Sequence, residues 1–443
     1  MTALIVCRAF QGMGASGLYS LTHIGLVEVG PSHSPSLIGA LIGVTLAVAF
    51  VLGPIVGGAV SQLSDWRWLF NMNIPFGLVA ILTITNLWPH EEVAHFFSWK
   101  AFTSIDFLGS ATLLTSSGFL VFAVQQAGSE TFAWGSPEII SALVISGVSW
   151  LVFVWWEVHL ETRPSRNIEP IFPIRLMLRR VYSAGLLATL FTGFPYISLC
   201  IVIPERFQIV SREEVLTAGL HILPMLGACA VGSFLGGAIS SRRNNTSLTL
   251  LGASCLQLLG VGLMSMLTGS DSHSKAQYAF QAIFGLGVGL SFSAATIMTS
   301  ILAAERSELA SAQGAVAQAR VLGGCIGLAV CTVIFNSHVN EYLQDHLTSA
   351  QLASLHRSPL TSLQLPGHLQ GLVRDVYAGA FAEEIKVMML VCAVMVALSL
   401  FSLERNPAPL ERLTAFPKDQ FSSRRGSESA TEMMDISSIR RSV

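Results

Sequence analysis

Blocks of apolar residues, each about 20 residues long, recur along the chain with short polar segments between them. In a bilayer every backbone polar group must be hydrogen-bonded within its own segment, so such a block without strand alternation predicts a membrane-spanning helix. The pattern predicts an all-α fold, a polytopic transmembrane helical bundle of about 11 spans. The predicted spans are 2–27, 37–60, 67–88, 105–126, 138–157, 181–203, 217–239, 248–268, 277–301, 313–335 and 385–403.

Two polar segments lie outside these blocks. Residues 337–384 contain two prolines and charges of both signs, which predicts a long outer loop with short surface helices. Residues 404–443 are rich in Ser, Arg and Glu, a composition typical of a disordered tail. No soluble domain fits between the predicted spans.

The composition agrees with a membrane protein. Hydrophobic residues make up 52% of the chain and charged residues 12%, about half the charged share of a soluble protein. The net charge is -2, so no overall basic field attracts nucleic acid. We therefore expect the lipid bilayer as a partner and no nucleic acid.

The distribution of Lys and Arg predicts the orientation, because these residues favour cytoplasmic loops. With the C-terminal tail inside, the inner segments hold 16 of them and the outer segments hold 6. The tail is therefore predicted to be cytoplasmic. An odd number of spans then places residue 1 outside, and since no cleavable signal is present, we expect the N-terminus to be incomplete.

The glycines Gly12, Gly14 and Gly17 fit the G-x-G-x-x-G pattern of a dinucleotide site, but that site needs a preceding strand, which this apolar block does not offer. In a membrane helix they are packing glycines that let a neighbouring helix approach closely. No nucleotide-binding loop and no hydrolase motif occurs in the sequence, so we expect neither a nucleotide nor an enzyme activity. The seven cysteines have no paired spacing, and we expect no metal and no cofactor.

Two polar residues of the first span are candidates for a functional role. A cation there costs at least a few kcal/mol, so Arg8 is a candidate functional residue. Gln11 follows at i+3 and shares its helix face, which could line the same polar cavity. The alternative is that Arg8 only extends to the membrane interface.

The motif Gly53-Pro54-Ile55-Val56-Gly57-Gly58 lies near the end of the second span. Proline removes a backbone donor and the glycines remove side chains, which predicts a bent, closely packed hinge or seal. An ordinary helix terminus is the alternative.

These motifs resemble those of a known family. Arg8-Ala9-Phe10-Gln11-Gly12-Met13-Gly14 resembles the fourth-helix motif of the major facilitator superfamily, and the motif at Gly53 resembles its fifth-helix antiporter motif. Residues 66–75, Trp-Arg-Trp-Leu-Phe-Asn-Met-Asn-Ile-Pro, resemble the start of the sixth helix in the fourteen-span drug:proton antiporter group, especially its fungal members. Ala40 and Ala49 depart from the antiporter motif, which prefers glycine there.

The resemblance covers residues 1–403 and implies a major-facilitator fold that is N-terminally truncated, because the spans correspond to family helices four to fourteen. Residues 1–88 would be the remainder of the N-terminal half, family helices 4–6. Residues 89–180 would be two linker helices with cytoplasmic loops, and residues 181–403 the C-terminal six-helix half. The gating motif between family helices two and three is missing, and its counterpart at residues 237–243 lacks the acidic residue.

The resemblance also implies a function. In the family the cavity is lined by spans corresponding to 2–27, 181–203 and 277–301, so the expected substrate and proton pathway includes Arg8, Gln11, Tyr196 and Gln281. The implied activity is efflux of small amphiphilic drugs, toxins or secondary metabolites in exchange for protons, in the plasma membrane or the vacuolar membrane. An inactive remnant or scaffold, and an importer of a nutrient or metal chelate, are the alternatives.

Overall fold

The computed structural model describes most of the chain. The described residues are 2–29, 35–65, 67–87, 105–129, 132–162, 168, 170–172, 174–240, 243–267, 275–303, 306–348, 351–352, 354–355, 366–404 and 407–408. Over these residues the regular secondary structure is helical, with no strand. The prediction of an all-α fold is confirmed.

The helices follow one another with short connections. They are α1 Thr2–Val29, α2 Pro35–Leu63, α3 Trp68–Asn71, α4 Asn73–Leu87, α5 Phe107–Gly128, α6 Pro137–Thr162, α7 Ile174–Met177, α8 Arg180–Ile209, α9 Val215–Leu220, α10 Leu223–Ile239, α11 Thr246–Ser265, α12 Ala276–Leu302, α13 Arg306–Leu343 and α14 Gly367–Leu400.

Each of the eleven predicted spans coincides with one of these helices or with a consecutive pair, α3–α4 or α9–α10. By length and apolar composition, eight helical segments in the described part of the chain are able to cross a membrane. A 20-residue helix is about 30 Å long, the thickness of the hydrocarbon core, so these segments match a bilayer.

The helix ends around the predicted outer loop 337–384 differ from the prediction. Helix α13 continues to Leu343, and α14 begins at Gly367 rather than at residue 385. Hydropathy detects only the apolar part of a helix, whereas the backbone hydrogen bonds continue through its polar ends. The predicted tail from residue 409, Trp66 of the sixth-helix motif and Arg242 of the counterpart motif lie outside the described residues.

The core lies in the bundle of α8 and α10–α14. Its closest interfaces are α10 with α12, α11 with α12, and α8 with α13. Glycines allow this approach, because a Cβ at these positions would overlap backbone atoms of the facing helix. They are Gly193, Gly232, Gly260, Gly285, Gly287, Gly289, Gly323 and Gly327.

The other helices pack around this bundle. Helix α2 packs against α9 and α10, and the paired helices α5 and α6 reach the bundle through α13. Asn336 on α13 donates a hydrogen bond to the Gly128 carbonyl at the end of α5, at 2.7 Å. The described side chains of α4 are all exposed, as expected for a helix whose apolar surface faces lipid or further helices.

Candidate functional site

A cavity of about 480 Å³ lies where α2 meets α8, α9 and α10. This volume is in the range typical of sites for small organic molecules. Its lining residues are Ala49, Gly53, Pro54, Gly57, Gly58, Ser61, Tyr196, Cys200, Pro204, Gln208, Val215, Gly219, Ile222 and Leu226. The predicted antiporter motif and the predicted pathway residue Tyr196 therefore line the same space.

The α2 wall depends on one glycine. At Gly58, the buried glycine of the motif, a Cβ would lie 2.9 Å from Leu216 Cδ1 and 3.0 Å from Leu216 Cα on α9. One turn beyond, the Gln62 side-chain amide donates a hydrogen bond to Glu214 Oε2 at 3.2 Å. Helix α2 thus approaches α9 closely because residue 58 has no side chain.

The remaining glycines of the motif have a different environment. A Cβ at Gly53 or Gly57 would meet no described atom within 4 Å. The close packing predicted for the motif is seen at Gly58, whereas at Gly57, which lines the cavity, it stays a prediction. Pro54 lies inside α2 and does not end it, since the helix continues to Leu63.

The α8 wall carries the aromatic group of the cavity. Tyr196 is 7% exposed, and its ring meets the Phe292 ring of α12 edge to face, with centroids 5.4 Å apart. Cys200 lies one turn further along α8 and also lines the cavity. Buried aromatic rings offer a large apolar surface in a fixed orientation, which suits binding of an apolar or aromatic ligand.

A cation stands behind this aromatic pair. The Arg320 guanidinium of α13 lies over the Phe292 ring, 3.7 Å from its centroid. Tyr196, Phe292 and Arg320 therefore form a continuous row from the cavity wall into the bundle. The sequence interpretation overlooked Arg320, although a charged residue within the apolar span 313–335 is the same signal that singled out Arg8.

The lining residues carry no formal charge. Their polar groups are the side chains of Ser61, Tyr196, Cys200 and Gln208. A buried unpaired charge is costly, so a cavity of this kind favours a ligand that is neutral or keeps its charged group outside.

Arg8 and Gln11 lie together, but away from this cavity. The Arg8 guanidinium donates a hydrogen bond to the Gln11 side-chain carbonyl at 3.2 Å, and it lies 4.9 Å from the centroid of the Phe70 ring. Both side chains are exposed on α1. The shared face inferred from their spacing is present, whereas their place in a substrate and proton pathway stays a prediction.

Two other groups of predicted residues are also outside the cavity. Gln281 on α12 is fully buried, and neither atom of its amide has a hydrogen-bond partner in the described part of the chain. A Cβ at Gly12, Gly14 or Gly17 would have no neighbour within 4 Å among the described atoms. The packing role of these glycines therefore stays a prediction.

Comparison with known proteins identifies the family. Residues 1–328 match the sequence model of the Major Facilitator Superfamily. The chain belongs to the major facilitator superfamily. With its apolar helices, this makes it an integral, multi-pass membrane protein.

Its relatives are fungal. The chain is 36% identical to the MFS-type transporter FPY5 of Fusarium mangiferae over 416 residues, which cover 92% of this chain and 69% of that protein. It is 28% identical to an uncharacterized MFS-type transporter of Schizosaccharomyces pombe, over 92% of this chain and 65% of the relative. It is 26% identical to the efflux pump roqT of Penicillium rubens, over 92% of this chain and 76% of that pump. The chain thus spans about two thirds of the length of the first of these relatives.

Proposed function

We propose that this chain is a secondary transporter of the fourteen-span drug:proton antiporter group. It would export small, amphiphilic molecules such as drugs, toxins or secondary metabolites, with protons as the coupling ion. The observation that carries this proposal is the cavity of about 480 Å³, uncharged and partly aromatic, at the crossing of α2 with α8, α9 and α10. Relatives that are named efflux pumps support the same direction of transport.

The cavity has the chemistry for an amphiphilic substrate. Its small and aliphatic residues accept an apolar body, and the Tyr196 ring gives that body a flat surface. Ser61 and Gln208 supply hydrogen-bonding groups for a polar end. Few directional contacts combined with much apolar surface favour a class of molecules rather than one shape.

The α2–α9 contact supplies the moving part. At Gly58 and Leu216 the two helices touch closely, and water could replace the exposed hydrogen bond from Gln62 to Glu214. Separation of α2 from α9 would open the cavity at this end. This is how the hinge or seal inferred from the motif would act.

The Arg8–Gln11 pair is the candidate for proton coupling. A guanidinium in a spanning helix stays inserted only with polar partners or water, and Gln11 is one such partner.

The proposed orientation places the tail after Ser402 in the cytoplasm. The proposed location of the protein is the plasma membrane or the vacuolar membrane. A reporter fused at Val443 that is reached only from outside intact cells would refute this orientation.

Transport in proteoliposomes tests the function. The full chain is reconstituted and a pH gradient is imposed. The movement of a fluorescent amphiphilic substrate in the direction opposite to the proton flow is then measured. We expect transport that stops when a protonophore collapses the gradient. Accumulation in the import direction would instead favour the importer, and no transport by correctly inserted protein would favour the inactive remnant.

Tyr196 connects this activity to the cavity. The change Tyr196→Ala removes an aromatic contact of about 0.5–1.5 kcal/mol, so we expect KM to rise about two- to tenfold. Tyr196→Phe keeps the ring, and it should raise KM only for substrates that hydrogen-bond the hydroxyl. The matched control is Tyr182→Phe on the same helix, which removes a buried hydroxyl bonded to the Ala312 carbonyl at 3.1 Å and does not line the cavity. Equal KM for Tyr196→Ala and the parent would place the substrate elsewhere.

A further inference from the structure

Two buried carboxyl groups meet at one end of the α5–α6 pair, outside the cavity described above. Asp106 immediately precedes α5 and is 3% exposed, and Glu157 lies in the last turns of α6 and is fully buried. An ionised carboxylate in such surroundings costs several kcal/mol unless it is paired and hydrogen-bonded. The partners of each oxygen therefore indicate which group carries a charge.

Asp106 has the partners of an ionised carboxylate, but on one oxygen only. Asp106 Oδ1 accepts a hydrogen bond from the backbone N–H of Gly109 at 2.8 Å, which caps α5. The same oxygen accepts a second from the Trp156 indole N–H, also at 2.8 Å. The other oxygen, Oδ2, is buried and has no hydrogen-bond partner among the described residues.

Glu157 has no partner on either oxygen within the described residues. The backbone amides of Ile171 and Phe172 face this carboxyl group, but neither meets hydrogen-bond geometry. Both carboxyl groups lie next to Gly109. A Cβ on this glycine would overlap Asp106 Oδ2 and lie 3.1 Å from Glu157 Oε1. The two unpartnered oxygens therefore face the same small space.

The charged groups described near this pair do not neutralise it. Glu161, one turn beyond Glu157, adds a third acidic group, and it is itself ion-paired with Arg175. His159, on the same helix, stacks on Trp155 and Trp156. In the described part of the chain no salt bridge joins a cation to Asp106 or Glu157.

We infer that Asp106 and Glu157 form a proton-binding site, in which Glu157 carries the proton and donates it to Asp106 Oδ2. One proton removes one of the two buried charges and gives both facing oxygens a partner. Asp106 Oδ1 keeps its two donors, the Gly109 and Trp156 N–H groups. The site lies on the two helices that the sequence assigns to the linker, and it does not depend on what the cavity transports.

Infrared spectroscopy of the purified full chain in lipid nanodiscs tests this site, because a protonated carboxyl group has a C=O band that a carboxylate lacks. At neutral pH we expect the difference spectrum of the parent minus Glu157→Gln to show a carboxyl band, because other buried carboxyl groups contribute equally to both proteins. The matched control is Glu138→Gln, an exposed glutamate in the first turn of the same helix, which should keep the band. At alkaline pH the band of the parent should convert to the carboxylate form.

A second variant distinguishes proton sharing from mere burial. Asp106→Asn keeps a good capping residue but replaces the acceptor with a group that can donate to an ionised Glu157. We expect the carboxyl band to be lost at neutral pH although Glu157 is still present. If Glu157→Gln does not fold, Asp106→Asn by itself tests whether the two carboxyl groups share a proton.

Three results would overturn the site. The first is a parent without the carboxyl band at neutral pH. The second is a band in Glu157→Gln as intense as that of the parent, and the third is a band that Asp106→Asn retains. A titration of the parent with sodium chloride at neutral pH is the remaining control. Loss of the band with sodium, but not with choline, would show that a metal cation occupies the space instead of a proton.

Discussion

The contact between α2 and α9 can be tested with a single methyl group. In Gly58→Ala the new Cβ would lie 2.9 Å from Leu216 Cδ1 and 3.0 Å from Leu216 Cα. The first atom is the end of a flexible side chain and can move aside. The second is backbone, so the helices themselves must separate by a few tenths of an ångström.

Two opposing terms set the size of the effect. Alanine is favoured over glycine inside a helix by about 0.5–1 kcal/mol, whereas overfilling a packed contact costs about 1–3 kcal/mol. The neighbouring Gly57 gives the first term alone, because a Cβ there meets none of the described atoms within 4 Å. We therefore expect Gly58→Ala to be about 1–3 kcal/mol less stable than Gly57→Ala, with the helix term cancelling between them.

The measurement is the thermal unfolding of both purified variants in the same detergent, followed by transport in proteoliposomes. We expect Gly58→Ala to melt below the parent and Gly57→Ala to melt at or slightly above it. Combining Gly58→Ala with Leu216→Ala should recover part of the loss, since it removes the contact at 2.9 Å but not the one at 3.0 Å. Equal melting temperatures for the two single variants would refute the close approach of α2 to α9.

Two further predictions concern the cations in the spanning helices. Arg8→Ala should abolish proton-driven efflux in vesicles and Arg8→Lys should leave a fraction, because lysine keeps the charge but loses the planar fork, while Gln11→Ala should be milder. Full activity of Arg8→Ala would show that this side chain only extends to the interface. Arg320→Lys loses the planar stacking on Phe292, a contact of about 0.5–2 kcal/mol, and should raise the substrate KM about two- to thirtyfold, with Arg320→Gln at least as severe. An unchanged KM in both Arg320 variants would show that the row behind Tyr196 is structural only.

The helices follow from the sequence because their cause is local. An apolar block such as 181–203 has no water inside the bilayer to satisfy its backbone, so it must close its own hydrogen bonds. The observed helix, Arg180–Ile209, begins within one residue of the prediction and ends six residues later. The end was missed because the last turns are polar enough to leave the hydropathy window while remaining helical.

The site was only partly predictable, because its parts belong to distant segments. The spacing of Gly53, Pro54 and Gly58 identified a contact surface, but the sequence could not show that Leu216 is its partner, some 160 residues away. Nor could the sequence show that, among the described atoms, there is space for a Cβ at Gly57 but not at Gly58. The rotation of a helix about its own axis decides this, and all the surrounding helices set that rotation together.

The buried acids show the same division between sequence and tertiary structure. In the sequence, Asp106 lies at the start of the predicted span 105–126 and Glu157 at the end of the predicted span 138–157. The sequence determined that this is a membrane bundle, because the average apolar content and the length of each block decide that. Only the tertiary structure decided that two carboxyl groups 51 positions apart share one space, with no cation paired to either among the described residues, since the charge state of a buried acid depends on what packs around it.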